Sequence, residues 1–381
     1  MADRDHAFGQ ADILDPELHQ FRRAGAGFQH QPGPAALGVG LVEEAQLFLN
    51  REPVHAAAAG LLADVLPIAS GANRTTVREH ALRVAEHVEA ELGEERPCFI
   101  DGCPAEWAAL PIPEGRIVAA LDGGYVRNWD DRKSNFELIV GRSVPEDRPP
   151  CYLGLVHGYD QKPKRRLFEM LKSQGLQANQ DVTFLTDGGE EVRALTELVT
   201  PEAEHVLDWF HITMRLTVLG QYARGVAHHD KAEGARLLAA LDSIKWLLWH
   251  GNQYRAGEEI TFLEGDVDGL ELDYPNLGKF ARAAHEFAVY IASNASSLIN
   301  YGERFRSGER ISSCLAESTV NGVISKRFAK HQQMQWTKRG AHLLLQTRTR
   351  TLDGTLRPLF ERWYPGLAND NENRAAKAAA A

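Results

Sequence analysis

A chain of 381 residues with 44% hydrophobic and 25% charged side chains can bury an ordinary core and is long enough for two or three structural units. Its net charge of −10 lacks the basic footprint usual in nucleic-acid proteins, so any such role must rest on where the cations lie. No run of about 18 apolar residues, no secretory leader in residues 1–15 and only four cysteines point to a reducing, cytoplasmic setting.

Residues 1–53 carry no apolar periodicity, and 25–40 are rich in Gly, Ala, Gln and Pro, which reads as loop or weakly ordered chain. Ala56–Leu66 is Ala/Leu-rich and is stopped by Pro67; a turn at 70–73 leads to Thr75–Leu92, with Val77, Ala81, Val84 and Val88 at helical spacing. Two helices joined this way are either a plain hairpin or a helix-turn-helix, whose second helix would present Arg74, Thr75, Arg78 and His80 to a DNA groove. Cys98 and Cys103 have no partner pair at zinc-ligand spacing and are read as metal-free.

Beyond Pro113 the texture changes. Arg116–Leu121, Asn135–Arg142 and Cys151–His157 are strand candidates, followed by a helix over Lys162–Ser173 and a strand over Asp181–Thr186. A short helix over Glu190–Leu198 then leads to a strand at Glu204–Leu207, which ends in Asp208-Trp209-Phe210-His211. This order predicts an α/β, RNase H-like fold, a mixed five-stranded sheet flanked by helices. From Ile212 to Ser307 the pattern is all helical: Glu233–Trp249 aligns Leu237, Leu241, Ile244 and Leu248, and Gly278–Tyr301 reads as another long helix. Trp246 and Trp249 fit the core of this block.

Two acids follow apolar strands in the same way, Leu121-Asp122-Gly-Gly and Thr186-Asp187-Gly-Gly. Asp-Gly-Gly is also a common turn signature. On the first and fourth strands of this fold, however, the two carboxylates meet where open α/β sheets place ligands. Phosphodiester transfer with hard divalent ions needs such acids from separate elements. A third candidate is Glu317, with Asn321 one turn later on the same helix face; the pattern alone does not separate Glu317 from Glu309 or Glu303.

The cations are unevenly spread. Between Asn321 and Arg350 lie Lys326, Arg327, Lys330, Lys338, Arg339, Arg348 and Arg350 with no acid, and Lys162, Lys164, Arg165 and Arg166 form a second cluster. Each is a solvated helix face or a nucleic-acid surface. Trp336 within the first is a core anchor or a stacking platform for a base.

The strings LDGGYVR, FLTDGGEEVR, VLDWFH, KWLLWHG and AESTVNGVISKRFAKHQQMQWTKRGAHLLLQTRT, in this order and with a helical block before the last, resemble the motif series of DDE-type insertion-sequence transposases. The likeness is to the ISKra group, related to Mutator-like elements, and covers roughly residues 70–365. It implies Asp122, Asp187 and Glu317 as catalytic and metal-binding residues, with two Mg²⁺ or Mn²⁺ ions. It further implies a supporting D-x-x-H element at Asp208 and His211, beside Asn321. Asp208 and His211 alone also fit a strand end and a helix cap. Contacts to double-stranded DNA, at transposon ends and target, would come from Trp336 and the cations around it, Lys326, Arg327, Lys330, Lys338 and Arg339; Arg74 and Arg78 join them on the separate helix-turn-helix reading. A homodimer or larger assembly on DNA is implied, because two ends must be joined. Such relatives carry a longer N-terminal region with a DNA-binding module, which residues 1–53 do not match. The expected division is 1–53 unassigned, 54–113 helical, 114–212 catalytic core, 213–310 helical insertion, 311–365 the rest of the core, and 366–381 a tail. The rival readings are a metal-dependent nuclease of the same fold and a non-catalytic DNA-binding derivative.

Overall fold

The computed structural model describes residues 74–144, 148–200, 202–312, 323 and 335–365. The predicted hairpin's first helix, Ala56–Leu66, and Glu317, Asn321, Lys326, Arg327 and Lys330 lie outside the described residues.

Helix α1 (Arg74–Glu91) and the single-turn α2 (Pro104–Ala108) precede the sheet. Strand β1 (Ile117–Asn128) pairs antiparallel with β2 (Asn135–Ser143), and β2 with β3 (Tyr152–Val156). Helix α3 (Pro163–Ser173) returns the chain to β4 (Val182–Thr186), parallel to β1. Helix α4 (Glu190–Val199) does the same for β5 (Glu204–Leu207), parallel to β4. The strand order is β3-β2-β1-β4-β5, an RNase H-like sheet. The five-stranded expectation gains a sixth, two-residue strand, β6 (Gln335–Trp336), parallel to the far end of β1.

The Asp122-Gly-Gly segment is not the predicted turn. β1 runs on for 12 residues, and Gly123 and Gly124 stay paired with Ile139 and Leu138 of β2. The antiparallel partner offers hydrogen bonds beyond the point where the parallel neighbour β4 ends, so the backbone stays extended. Asp122 therefore lies within a strand, where β1 outgrows β4. Asp187 does leave its strand by a turn, with Gly188 at φ +88°.

Central β1 is buried on both faces, with Ala119, Ala120 and Leu121 fully covered. One face packs Leu121, Ile139, Leu155 and Phe184 on Leu167 and Leu171 of α3 and Val192 and Leu195 of α4. On the other face, Leu138, Val140 and Val156 meet Trp336 and helix α10 (Lys338–Leu352), while Ala120, Leu185 and Val206 meet α5 (Trp209–Ala227). This second area continues without a break into α6 (Lys231–Trp249), α7 (Gln253–Asp268) and α8 (Leu277–Ser293). Their apolar residues recur three or four apart: Leu237, Leu241, Ile244 and Leu248 on α6; Ala256, Ile260, Leu263 and Val267 on α7.

The helix expected through Tyr301 stops at Ser293. Asn294 turns its side-chain amide back onto the Tyr290 carbonyl (2.8 Å), competing with helix continuation. A 3-10 turn (Ala295–Ser297) and the short α9 (Tyr301–Arg306) follow, and α11 (Leu356–Trp363) comes after α10. Trp249 packs in the helical core as expected, while Trp246 is 40% exposed.

Candidate active site

Strand register builds the site. Leu121, Thr186 and Leu207 form one row across β1, β4 and β5, and the Asp208 N–H donates to the Thr186 carbonyl (2.9 Å), continuing the ladder. One step further along each strand stand Asp122, Asp187 and Asp208. Two residues back, Ala120, Leu185 and Val206 share one core cluster on the face bearing α5, the face that alternation gives to Asp122 inside β1; Asp187 and Asp208 follow the ends of their strands, in a turn and at the start of α5. Neighbouring strands lie about 4.8 Å apart, which sets the three acids side by side, although among the described residues the three ligand-type groups with atoms all within 4.8 Å of one another are Glu89, Asp160 and His342. The sequence identified each of these acids; it did not show that they form one row.

Asp122 is 7% exposed and accepts from its neighbour's amide, Gly123 N–H (2.8 Å). Burial pushes its carboxyl up to about 6; His211 opposes that, while Asp187 and Asp208 add to it. The half-buried Asp187 accepts from Gly189 N–H (3.0 Å). Its turn abuts the helical block: a β-carbon on Gly188 would fall 2.5 Å from Asn294 Oδ1, which accepts from Arg193. Asp208 is fully buried, caps α5 by accepting from Phe210 N–H (2.9 Å), and lies 3.7 Å from His211 Nε2. Asp208 thus follows the end of β5 as the sequence allowed, and the capping role that the sequence offered to His211 falls to Asp208 instead. His211 Nε2 is itself buried without a hydrogen-bond partner among the described residues.

A second group borders the row. His157 bridges Glu137 (Nδ1 to Oε2, 3.4 Å) and Glu191 (Nε2 to Oε2, 3.1 Å). Burial raises the Glu137 carboxyl; His157 opposes, and Asp187 and Glu191 reinforce the rise. Gly123 makes room for it, since a β-carbon there would sit 2.6 Å from Glu137 Oε1. Sequence reasoning missed this trio; the available signal was a lone acid inside the apolar strand Asn135–Ser143.

The predicted DNA contacts divide. Arg74 opens α1 and Arg78 is exposed on it. Lys338 is half-buried in the first turn of α10, and Arg339 is exposed but ion-paired with Glu86 of α1. Trp336 is only 9% exposed and belongs to the core between sheet and α10, which corrects the base-stacking alternative: packing has taken its faces. Arg348 is buried, so the acid-free stretch is not one solvent-facing stripe.

The Lys162–Arg166 cluster is engaged within the protein. Lys162 Nζ donates to the Leu92 carbonyl (2.9 Å), Arg165 pairs with Glu169, and Arg166 is buried among Asp160 (Nε to Oδ2, 2.5 Å), Gln346 (2.6 Å) and Glu89. Glu89, Asp160 and His342 offer metal-type ligand atoms within 4.8 Å of one another. The Arg166 guanidinium already stands among them as their cation.

No protein-family model matches the sequence, and no match is found among curated proteins. Among solved structures the chain is similar to the Drosophila P element transposase strand transfer complex, at 12% identity over 92% of this chain and 84% of that one, with a TM-score of 0.25. That overlay is too loose to match residues between the two.

Proposed function

We propose that this chain is a DDE-type transposase of the ISKra group. It would cut DNA at transposon ends and join the freed 3′-hydroxyl to target DNA. The observation that carries this reading is the row of Asp122, Asp187 and Asp208, three carboxylates each one residue past the matched Leu121, Thr186 and Leu207 of adjacent parallel strands, with Asp122 pushed up to about 6 by burial and its neighbours. Such an all-oxygen, charge-frustrated set suits hard divalent cations. Asp122 and Asp187 would hold Mg²⁺ or Mn²⁺, with Glu317 as the third acid implied by the motif resemblance. Bound, the two ions would activate the attacking oxygen and stabilise the leaving one.

The chain's own residues set the stage for this. Asp208 orients the start of α5, and with it His211, whose proton at Nε2 would offset charge in the row. Gly188 and Asn294 fix the turn that presents Asp187. The domain plan would be a catalytic sheet, a helical block inserted after β5, and a final segment that carries Glu317. Lys326, Arg327, Lys330 and Lys338, with Arg78, would meet double-stranded DNA within a dimer or larger assembly.

Asp122→Asn should reduce Mg²⁺-dependent cleavage and joining of a transposon-end duplex by at least about 10³-fold while DNA binding persists. Full cleavage by the variant would refute the assignment. Cleavage without joining by the unaltered chain would make it a nuclease of the same fold.

A further inference from the structure

We propose that Arg215 and Tyr290, both supplied by the helical block, complete the site as a phosphodiester-binding pocket beside the aspartate row. This rests on the reading of that row as a metal centre. Asp208, His211 and Arg215 recur at three- and four-residue steps from the start of α5, so they line one side of the helix. From α8, Tyr290 lays its ring against Arg215, with 4.1 Å between guanidinium carbon and ring centroid. The arginine covers the ring face and donates toward the phenol oxygen, while the buried O–H itself has no acceptor among the described residues.

Burial, together with the nearby charges of Asp187 and Asp208, drives the phenol well above its ordinary range despite Arg215. Asn294, one turn beyond Tyr290, lies against Gly188 of the Asp187 turn, which sets this end of α8 beside the row, and the phenol proton has no acceptor among the described residues. His211 Nε2 likewise makes no hydrogen bond among the described residues, although Asp208 Oδ2 lies 3.7 Å away. Buried polar groups are nearly always paired, and two unpaired ones beside one acidic row mark a place built for a missing acceptor.

The geometry around the pair is held, not incidental. Asn294, one turn beyond Tyr290, donates to the Tyr290 carbonyl (2.8 Å) and its Oδ1 abuts Gly188, so α8 is tied to the turn bearing Asp187. Tyr301 donates its buried hydroxyl to the Leu207 carbonyl (2.7 Å), tying the same block to β5 next to Asp208. A planar guanidinium and a phenolic O–H are both donors, matched to the non-bridging oxygens of a phosphodiester. Three carboxylates alone would repel that anion; cations on the row and Arg215 beside it reverse the sign.

The test uses the full chain and two probes: Mn²⁺ followed by electron paramagnetic resonance, and bis(4-nitrophenyl) phosphate titrated into Ca²⁺-loaded protein by phosphorus NMR. Arg215→Ala should weaken phosphodiester binding about 10-fold and Tyr290→Phe about 3-fold, the loss of a charge-assisted and of a neutral donor. Both should keep Mn²⁺ affinity near that of the unaltered chain. Arg215→Lys, which keeps charge but not the planar fork, should fall between. Unchanged phosphodiester binding in both variants, or none in the unaltered chain, would overturn the pocket while leaving the metal centre intact. Unchanged Mn²⁺ affinity in Asp122→Asn would instead overturn the metal centre, and the pocket with it.

Discussion

Two buried acidic clusters in this molecule share their ingredients and differ in one. Glu89 and Asp160 sit with His342 around Arg166, and Asp122, Asp187 and Asp208 sit with His211. The consequences have opposite sign. Burial would raise the Glu89 carboxyl, but His342 and Arg166 outweigh it and hold it at about 2. Asp122 is pushed up to about 6. A cluster that brings its own counter-ion is a structural clasp, here joining α1, α3 and α10. A cluster left frustrated is a receptor for a cation from outside.

Breaking the clasp should have the largest effect on stability. Arg166→Met strands two buried carboxylates and should cost about 3–5 kcal/mol in chemical denaturation. A loss below about 1 kcal/mol would mean the cluster is not what binds α1 to the core.

The aspartate row should respond in the other direction. In metal-free protein near pH 7, Asp122→Asn should add roughly 2–3 kcal/mol, since it removes a desolvated charge. The pH dependence separates the clusters. Asp122 has a folded value above the unfolded one, so the folded state holds the extra proton and stability falls as pH rises from about 4 to about 6. Glu89 has a folded value below the unfolded one, so its contribution is present above about 4.5 and is lost as pH falls toward about 2. The difference between the unaltered chain and Asp122→Asn should therefore widen between pH 4 and 6 and then level off. A flat difference would remove the frustration argument.

The same contrast explains what the sequence could and could not tell. Asp122 and Asp187 are legible because each follows an apolar run, and the β-β-β-α-β-α-β order is legible from local patterns. Their common row with Asp208 depends on register across three strands, which no local pattern states. Asp122-Gly-Gly misleads because its backbone has β2 to pair with, a partner set by tertiary structure. The basic clusters mislead for a related reason. Charge counting finds Arg166 and Arg339, while their acids, Glu89 and Glu86, lie 77 and 253 residues away. Glu317 stays a matter of motif resemblance alone.

A smaller effect follows for DNA binding. Lys338→Ala should lower the salt-dependence slope by about one unit, whereas Arg339→Ala, whose charge Glu86 already engages, should change it less. Equal effects would show that the Glu86 pair opens on DNA.

The central claim is that the outside cation belongs to the aspartate row and not to the arginine clasp. Mn²⁺ titration of the unaltered chain, Asp122→Asn and Glu89→Gln at pH 7.5 tests it directly. The account predicts two bound ions in the unaltered chain and in Glu89→Gln, and loss of binding in Asp122→Asn. Mn²⁺ binding that survives Asp122→Asn and disappears in Glu89→Gln would contradict it.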